Sequence, residues 1–312
     1  MTTDNTLGFV FPGQGSQSVG MLDALAGTYP AVRETFEEAG AILDTDLWDI
    51  AVNGPEDSLN RTEITQPALL AAGVAVWRVW QARGGAAPGI MAGHSLGEYT
   101  ALVCAGAMEF ADAVAVVHDR GRFMQSAVPE GQGAMAAILG LDDDAVRAAC
   151  ESAAQGEIVE AVNYNAPGQV VIAGDRSAVD RAIEAARKAG AKKAVALPVS
   201  VPSHCALMRP AAERLEERLA SVTIGEPTVP VIHNVDAEPA ADAGAIRERL
   251  VAQLHSPVRW VDTIRTMQAR GVTRLVEAGP GKVLAGLNRR IERRMPALPV
   301  FDPDTLEKAL QE

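Results

Sequence analysis

Ser95 sits in "MAGHSLGEYT" (residues 91–100) with Gly93 and Gly97 two positions to either side. A free serine hydroxyl is a weak nucleophile and needs a neighbouring base to take its proton. GxSxG between a strand and a helix is the pattern of a nucleophile elbow, a turn so tight that flanking Cβ atoms would clash with its backbone. Such a turn lifts Oγ to the carboxyl edge of a sheet and points the N-terminus of the next helix at it, where free N–H groups suit a developing oxyanion. Without that context the same five residues describe a plain glycine-rich turn.

Five histidines are available as the base: 94, 118, 204, 233 and 255. His94 adjoins Ser95, and neighbours on a sharp turn point apart. His118 lies within the helical run "ADAVAVVHDRGRFM" and reads as structural. His204, in "PVSVPSHCALM", follows a proline-punctuated loop that leaves it free to face a cleft, which makes it the candidate base. No Asp or Glu between Ser95 and His204 announces itself as the acid of a hydrolase triad, although acids are abundant there.

These residues need a scaffold. "TLGFVF" predicts a short strand running into the loop "PGQGSQ", with helical periodicity over 20–44 and 67–82. "GIMAG" (89–93) predicts the strand before Ser95, and "LGEYTALVCAGAM" the helix after it. Strands alternating with helices imply an α/β sheet, mostly parallel and covered on both faces. With the elbow, the expected architecture is an α/β-hydrolase-like core over residues 1–130 and 200–312. Residues 131–199 have a separate rhythm: strand "AMAAILGL", helix "DDDAVRAACESAA", strands "IVEAVNYN" and "QVVIAG", helix "DRSAVDRAIEAARKAG", strand "KKAVALPV". That is βαββαβ, the order of a ferredoxin-like subdomain, here inserted between the first half of the α/β pattern and its resumption at "ALMRPAAERLEERLA" and "VPVIHNV".

Composition narrows the classes. The chain has 312 residues, long for a single hydrophobic core, and 48% hydrophobic against 22% charged residues is ordinary for a globular protein. A formal net charge of −12 argues against nucleic-acid binding and a membrane-attracted surface. Cys104, Cys150 and Cys205 form no CxxC or metal-ligand pattern and read as reduced thiols, so a cytoplasmic setting is expected. The first fifteen residues have no basic segment ahead of their apolar run, unlike a signal peptide. Arg78 interrupts the apolar stretch 68–80, which is shorter than the ~20 residues that span a bilayer.

Six segments in order, "VFPGQGSQSVGM", "TQPALL", "GHSLGEYTALVCAG", "RGRFMQ", "NYNAPGQVVIAG" and "VPSH", resemble the malonyl-CoA:acyl carrier protein transacylases, relatives of polyketide synthase acyltransferase domains. The resemblance spans essentially the whole chain. It implies that Ser95 accepts malonyl as an ester, that His204 is the general base, and that the N–H groups of Gln14 and Leu96 form the oxyanion hole. It implies a backbone carbonyl at Gln253 as the acceptor that orients His204. Arg120 corresponds to the residue that grips the free malonyl carboxylate, as a guanidinium's paired donors suit. From spacing alone, Arg120 and Arg122 read as solvated helix charges. His255 receives no role. Ser203 before His204 is as in stand-alone enzymes of fatty-acid synthesis rather than modular polyketide domains.

The implied reaction is ping-pong transfer of malonyl from malonyl-CoA to the phosphopantetheine thiol of acyl carrier protein, with no metal or redox cofactor. The chain is expected to act as a monomer. Carrier proteins of such pathways are acidic, as is this chain, so a local basic patch is needed; Lys192 and Lys193 on the insertion and Arg289 and Arg290 in "LNRRIERRMP" are the candidates. Three alternatives stand beside this one. A serine esterase or thioesterase shares the nucleophile but gives Arg120 no purpose. A discrete acyltransferase of a polyketide pathway shares the chemistry, and a non-catalytic carrier-protein scaffold has no need of both Ser95 and His204.

Overall fold

A computed structural model describes residues 2–199 and 201–312. Met1 and Ser200, where the two expected core segments begin, lie outside the described residues. Among the described residues, a five-stranded sheet is built from β1 (Thr3–Phe11), β2 (Ala87–Gly93), β7 (Val231–Ile232), β8 (Arg274–Ala278) and β9 (Ala297–Val300). Its order is β7-β2-β1-β8-β9, and every pairing is parallel. β3 (Gly133–Leu139), β4 (Val159–Ala166), β5 (Gln169–Asp175) and β6 (Lys193–Ala196) form a second, antiparallel sheet in the order β4-β5-β3-β6. The protein is thus mixed α/β, with one parallel and one antiparallel sheet.

β1 is central, and it shows why the parallel sheet must be covered twice. Leu7, Phe9 and Phe11 enter one apolar cluster with the Thr62–Ala82 helix, while Val10 enters another with Ile264, Met267 and Leu275 on the opposite face. Alternate side chains of a strand leave on opposite faces, so a strand buried on both reads as a continuous apolar run. In the antiparallel sheet, Ala136, Ile138, Val170 and Ile172 pack under the Asp143–Ala154 and Arg176–Lys188 helices. The other face of that sheet meets Cys205 through Met135, Val162, Val171 and Ala173, so the residue after His204 is held against it.

Several local expectations are corrected. The periodicity over 20–44 is two helices, Asp23–Thr28 and Ala31–Leu43, parted at Tyr29 and Pro30. The helix after Ser95 ends at Cys104, because Gly106 takes a φ of 74° and turns the chain away; Met108 then bridges Ile224. "VPVIHNV" contributes only the two-residue β7. The helix expected over 67–82 begins at Thr62, which places Pro67 inside it. Proline has no N–H for the carbonyl four residues back, here that of Glu63, and the His118 ring, 2.9 Å away through Nδ1, takes that oxygen instead. His118 is structural, as its helical setting implied.

The loops after β1, β2, β7 and β8 leave from the carboxyl ends of adjacent parallel strands. At β1 the chain goes to β2 on one side while β8 later joins the other. Ligands of open parallel sheets bind outside the carboxyl ends of the strands at such a point.

Candidate active site

Ser95 lies two residues past the end of β2 with φ 49°, in the left-handed region that a side chain with a Cβ rarely occupies. The turn closes only because its neighbours are glycines. A Cβ on Gly93 would lie 1.8 Å from the carbonyl carbon of Gly97, and one on Gly97 would lie 2.0 Å from the Phe11 oxygen. The loop after β1 is equally close, since a Cβ on Gly13 would lie 2.4 Å from the His94 oxygen. Asn234, just past β7, braces the corner by accepting from the Ser95 N–H at 2.7 Å and donating to the Gly93 oxygen at 2.7 Å.

His204 is buried, also with a left-handed φ, 68°. Its Nε2 lies 2.8 Å from Ser95 Oγ and its Nδ1 2.7 Å from the Gln253 backbone oxygen. A carbonyl can only accept, so Nδ1 carries the proton and Nε2 is left free to take one from the serine. Gln253 ends the Ala243–Gln253 helix, where carbonyls lack intrahelical partners. Leu254, the next residue, uses its oxygen to hold the His204 N–H at 3.0 Å. The helix terminus therefore fixes both the ring and the backbone of His204.

Arg120 overturns the reading from spacing. It is fully buried, because it continues the Val116–Val117 face of the Phe110–Ala127 helix, whereas Arg122 points outward beside Asp119. Gly121 lets that helix press close to the Thr62–Ala82 helix; a Cβ there would lie 2.7 Å from the Glu63 Cα. The approach brings Arg120 Nη1 to 2.7 Å from Gln66 Oε1. Its Nη2 donates to Gln253 Oε1 at 2.9 Å and reaches Ser95 Oγ at 3.3 Å, and the guanidinium carbon stands 5.5 Å from the Tyr99 ring centre. Among the described residues no carboxylate forms an ion pair with Arg120, and its Nε has no partner. Burial pulls the guanidinium below its ordinary value, opposed by Tyr99 and Glu98.

Burial first, and then the Arg120 charge, push His204 down to about 3 from an ordinary 6.5, with the Gln253 carbonyl opposing. Burial likewise lowers His94, whose Nε2 lies 2.8 Å from Asn165 Oδ1 on β4, away from Ser95 Oγ. The structure thus gathers Ser95, His204, Arg120 and Gln253 at one point. Leu96 begins the turn into the Gly97–Cys104 helix and Gln14 lies in the loop after β1; among the described residues neither backbone N–H donates a hydrogen bond. Gln66, Asn234 and the buried pair Glu98 and His233 belong to the same network and were given no role from sequence. Gln66 lies within the quoted "TQPALL"; Glu98 carried only the signal of a charge in an otherwise apolar helix. His255 stands apart.

Lys192, Lys193, Arg289 and Arg290 are exposed. Arg290 donates to Gln169 Oε1 at 2.5 Å and to the Pro167 oxygen at 3.4 Å, and so reaches the β4–β5 turn. Gly168 in that turn accepts from the Gly140 N–H at 2.8 Å, and Gly140 lies against the Lys192 side chain. Arg290 and Lys192, one from each basic pair, thus flank one turn, two residues beyond the Asn165 that touches His94. Among the described residues no cluster of His, Cys, Asp and Glu could hold a metal ion, and no helix is long and apolar enough to cross a membrane.

A strand-borne serine held against a buried histidine, with donors free at the turn, is the arrangement of an acyl-transferring site. A family model for the acyl transferase domain matches residues 8–295. The chain is 58% identical to the malonyl CoA-acyl carrier protein transacylase of Escherichia coli (strain K12), covering 97% of this chain and 98% of that one. The enzyme of the same name from Bacillus subtilis (strain 168) is 46% identical over 98% and 96% of the two chains. Among solved structures, the malonyl-CoA:acyl carrier protein transacylase of Xanthomonas oryzae superposes with a TM-score of 0.98, at 51% identity and 99% coverage of both chains. A malonyl-transacylase in complex with a type II polyketide acyl-carrier protein gives 0.97, at 54% identity over 98% and 99%. The chain belongs to the acyl transferase domain family and, within it, to the malonyl-CoA:acyl carrier protein transacylases.

The depressed His204 value has a measurable sign. The unfolded chain takes up this proton as pH falls through about 6.5, while the folded chain refuses it until about 3, so acidification across that window favours unfolding. Imidazole NMR shifts should show His204 neutral at pH 5, and a His204→Asn variant should lose less stability than the parent between pH 7 and 5. A His204 midpoint near 6.5 contradicts the assignment.

Proposed function

We propose that this chain transfers malonyl from malonyl-CoA to the phosphopantetheine thiol of an acyl carrier protein through a malonyl ester on Ser95. The observation that carries the reading is Arg120, a guanidinium buried beside the nucleophile without a carboxylate of its own. A buried charge left unpaired is costly, and an acyl group bearing a free carboxylate supplies the missing partner. An esterase has no use for that feature.

In this mechanism His204 Nε2 takes the Ser95 proton as Oγ attacks the thioester carbon. The oxyanion accepts from the N–H groups of Gln14 and Leu96. The carbon–sulfur bond then breaks, and the CoA sulfur leaves with the proton held by His204. The carrier thiol enters, gives its proton to His204, attacks the ester carbon and returns Ser95 to its hydroxyl. The malonyl carboxylate seated on Arg120 also offsets the charge that depresses His204, so substrate binding makes the base more basic when it is needed. Every proton is carried by Ser95, His204 or a thiol, so no cofactor is called on. The resting base is neutral, oriented by the Gln253 oxygen rather than by an acid.

In this reading the parallel sheet with its elbow is an α/β-hydrolase-like core, residues 1–130 and 200–312. Residues 131–199 are a ferredoxin-like insertion, consistent with the β4-β5-β3-β6 order. The two basic pairs around the β4–β5 turn form the carrier-docking patch, against a chain of net charge −12. The protein acts as a cytoplasmic monomer.

Arg120→Ala should lower kcat/KM for acylation by malonyl-CoA about 100-fold or more while leaving acetyl-CoA far less affected. Parallel losses for the two substrates contradict the carboxylate-binding role. Changing Lys192, Lys193, Arg289 and Arg290 to Glu together should weaken transfer to carrier protein about tenfold or more while sparing acylation by malonyl-CoA. Equal losses in both half-reactions contradict the docking patch.

A further inference from the structure

We propose that Glu98 is a positioning residue for acyl-group selection: its carboxylate locks the Gln253 side-chain amide with its oxygen on Arg120, and so aims the guanidinium at a carboxylated acyl group. The inference rests on the function proposed above and extends it to a residue outside the reacting atoms.

Glu98 lies three residues after Ser95, in the first turn of the Gly97–Cys104 helix, and is completely buried. Its Oε1 accepts from His233 Nδ1 at 2.7 Å. Its Oε2 accepts from the Asn234 backbone N–H at 2.9 Å and from Gln253 Nε2 at 2.9 Å. A carboxylate can only accept, so three donors from two other segments converge on a group that cannot turn any of them away.

The consequence falls on Gln253. Its Nε2 faces two acceptors, Glu98 Oε2 and the Ser95 oxygen at 3.1 Å, while its Oε1 faces Arg120 Nη2 at 2.9 Å. Partners of opposite kind on its two ends fix which end is oxygen. Turned over, the amide would point its N–H groups at the guanidinium and its oxygen at two other oxygens. Of the two contacts that prevent this, the one to Glu98 is shorter and charge-assisted, and such bonds are about twice as strong as neutral ones. The run Arg120–Gln253–Glu98 also keeps the nearest acid one residue away from the guanidinium. The charge of Arg120 is held by neutral acceptors and not cancelled by a carboxylate, so it remains for a substrate carboxylate to pair with.

Glu98 has a second effect that must be separated from the first. Through the Asn234 N–H it braces the residue that holds the Ser95 N–H and the Gly93 oxygen. Loosening that brace affects every acyl group alike. Loss of the Gln253 orientation affects only those that need Arg120. The ratio of kcat/KM values for malonyl-CoA and acetyl-CoA in acylation of Ser95 isolates the orientation of Gln253 from the brace.

In Glu98→Met, which keeps side-chain length and removes both acceptors, the malonyl-to-acetyl ratio should fall about tenfold or more. In Glu98→Gln it should stay within about threefold of the parent, because the remaining oxygen can still accept from Gln253 and Asn234 while His233 changes tautomer. Equal losses for both substrates in Glu98→Met, or an unchanged ratio, overturn the proposal. Should Glu98→Met fail to fold, Gln253→Met decides the matter. It removes the amide while its backbone carbonyl can still hold His204, and the ratio should fall likewise; an unchanged ratio there is equally fatal. A parent protein with no preference for malonyl-CoA removes the underlying functional reading as well, whereas a parent that prefers it beside variants that keep the ratio overturns only the role of Glu98.

Discussion

A guanidinium taken out of water loses hydration worth several kcal/mol unless the protein returns its hydrogen bonds. Arg120 is in that position, and much of the molecule is arranged around it. Gly121 lets its helix come close enough for Gln66 to reach Nη1. The end of a distant helix brings Gln253 to Nη2, and the ring of Tyr99 lies nearby. These partners are neutral, so they steady the charge without cancelling it. A carboxylate in contact would cancel that charge and occupy its donors.

A second residue, Gln253, ties Arg120 to His204. It gives its side-chain oxygen to Arg120 and its backbone oxygen to His204, so one residue holds both of the side chains that reach Ser95 Oγ. Ser95 and His204 both adopt left-handed backbones, which cost on the order of 1 kcal/mol or more each and persist only where the surroundings enforce them. The enforcement comes from the carboxyl edge of the parallel sheet: Gly93 and Gly97 close the corner, Asn234 pins it, and the Leu254 and Gln253 carbonyls hold the histidine from the other side.

Sequence carried the parts of this that depend on local rules. The elbow was legible because only glycine tolerates its crowding, and the β1 run because a strand buried on both faces is apolar throughout. The order of strands and helices over 131–199 was legible because alternation and helical spacing change with each element. Arg120 was not legible from spacing, since a helix with arginines at 120 and 122 looks solvated until its neighbour is known; only the resemblance singled it out. Glu98, His233 and Asn234 were missed for a deeper reason. Their roles are hydrogen bonds between the β2–helix corner and residues just past β7, 135 to 141 positions later in sequence, and nothing in the local pattern of either segment encodes the other. The helix boundaries at Pro30 and Gly106 shifted because single residues ended periodic runs that composition alone would continue.

In the proposed reaction the corner at Ser95 holds malonyl as an ester long enough to pass it on. Intact-protein mass after mixing with malonyl-CoA, in the absence of carrier, tests it most directly. A malonyl-sized increment localised to Ser95 should persist in water and disappear on addition of a phosphopantetheine-bearing carrier protein. Release of CoA with no trapped adduct would contradict it and mark the site as one that hands its acyl group to water.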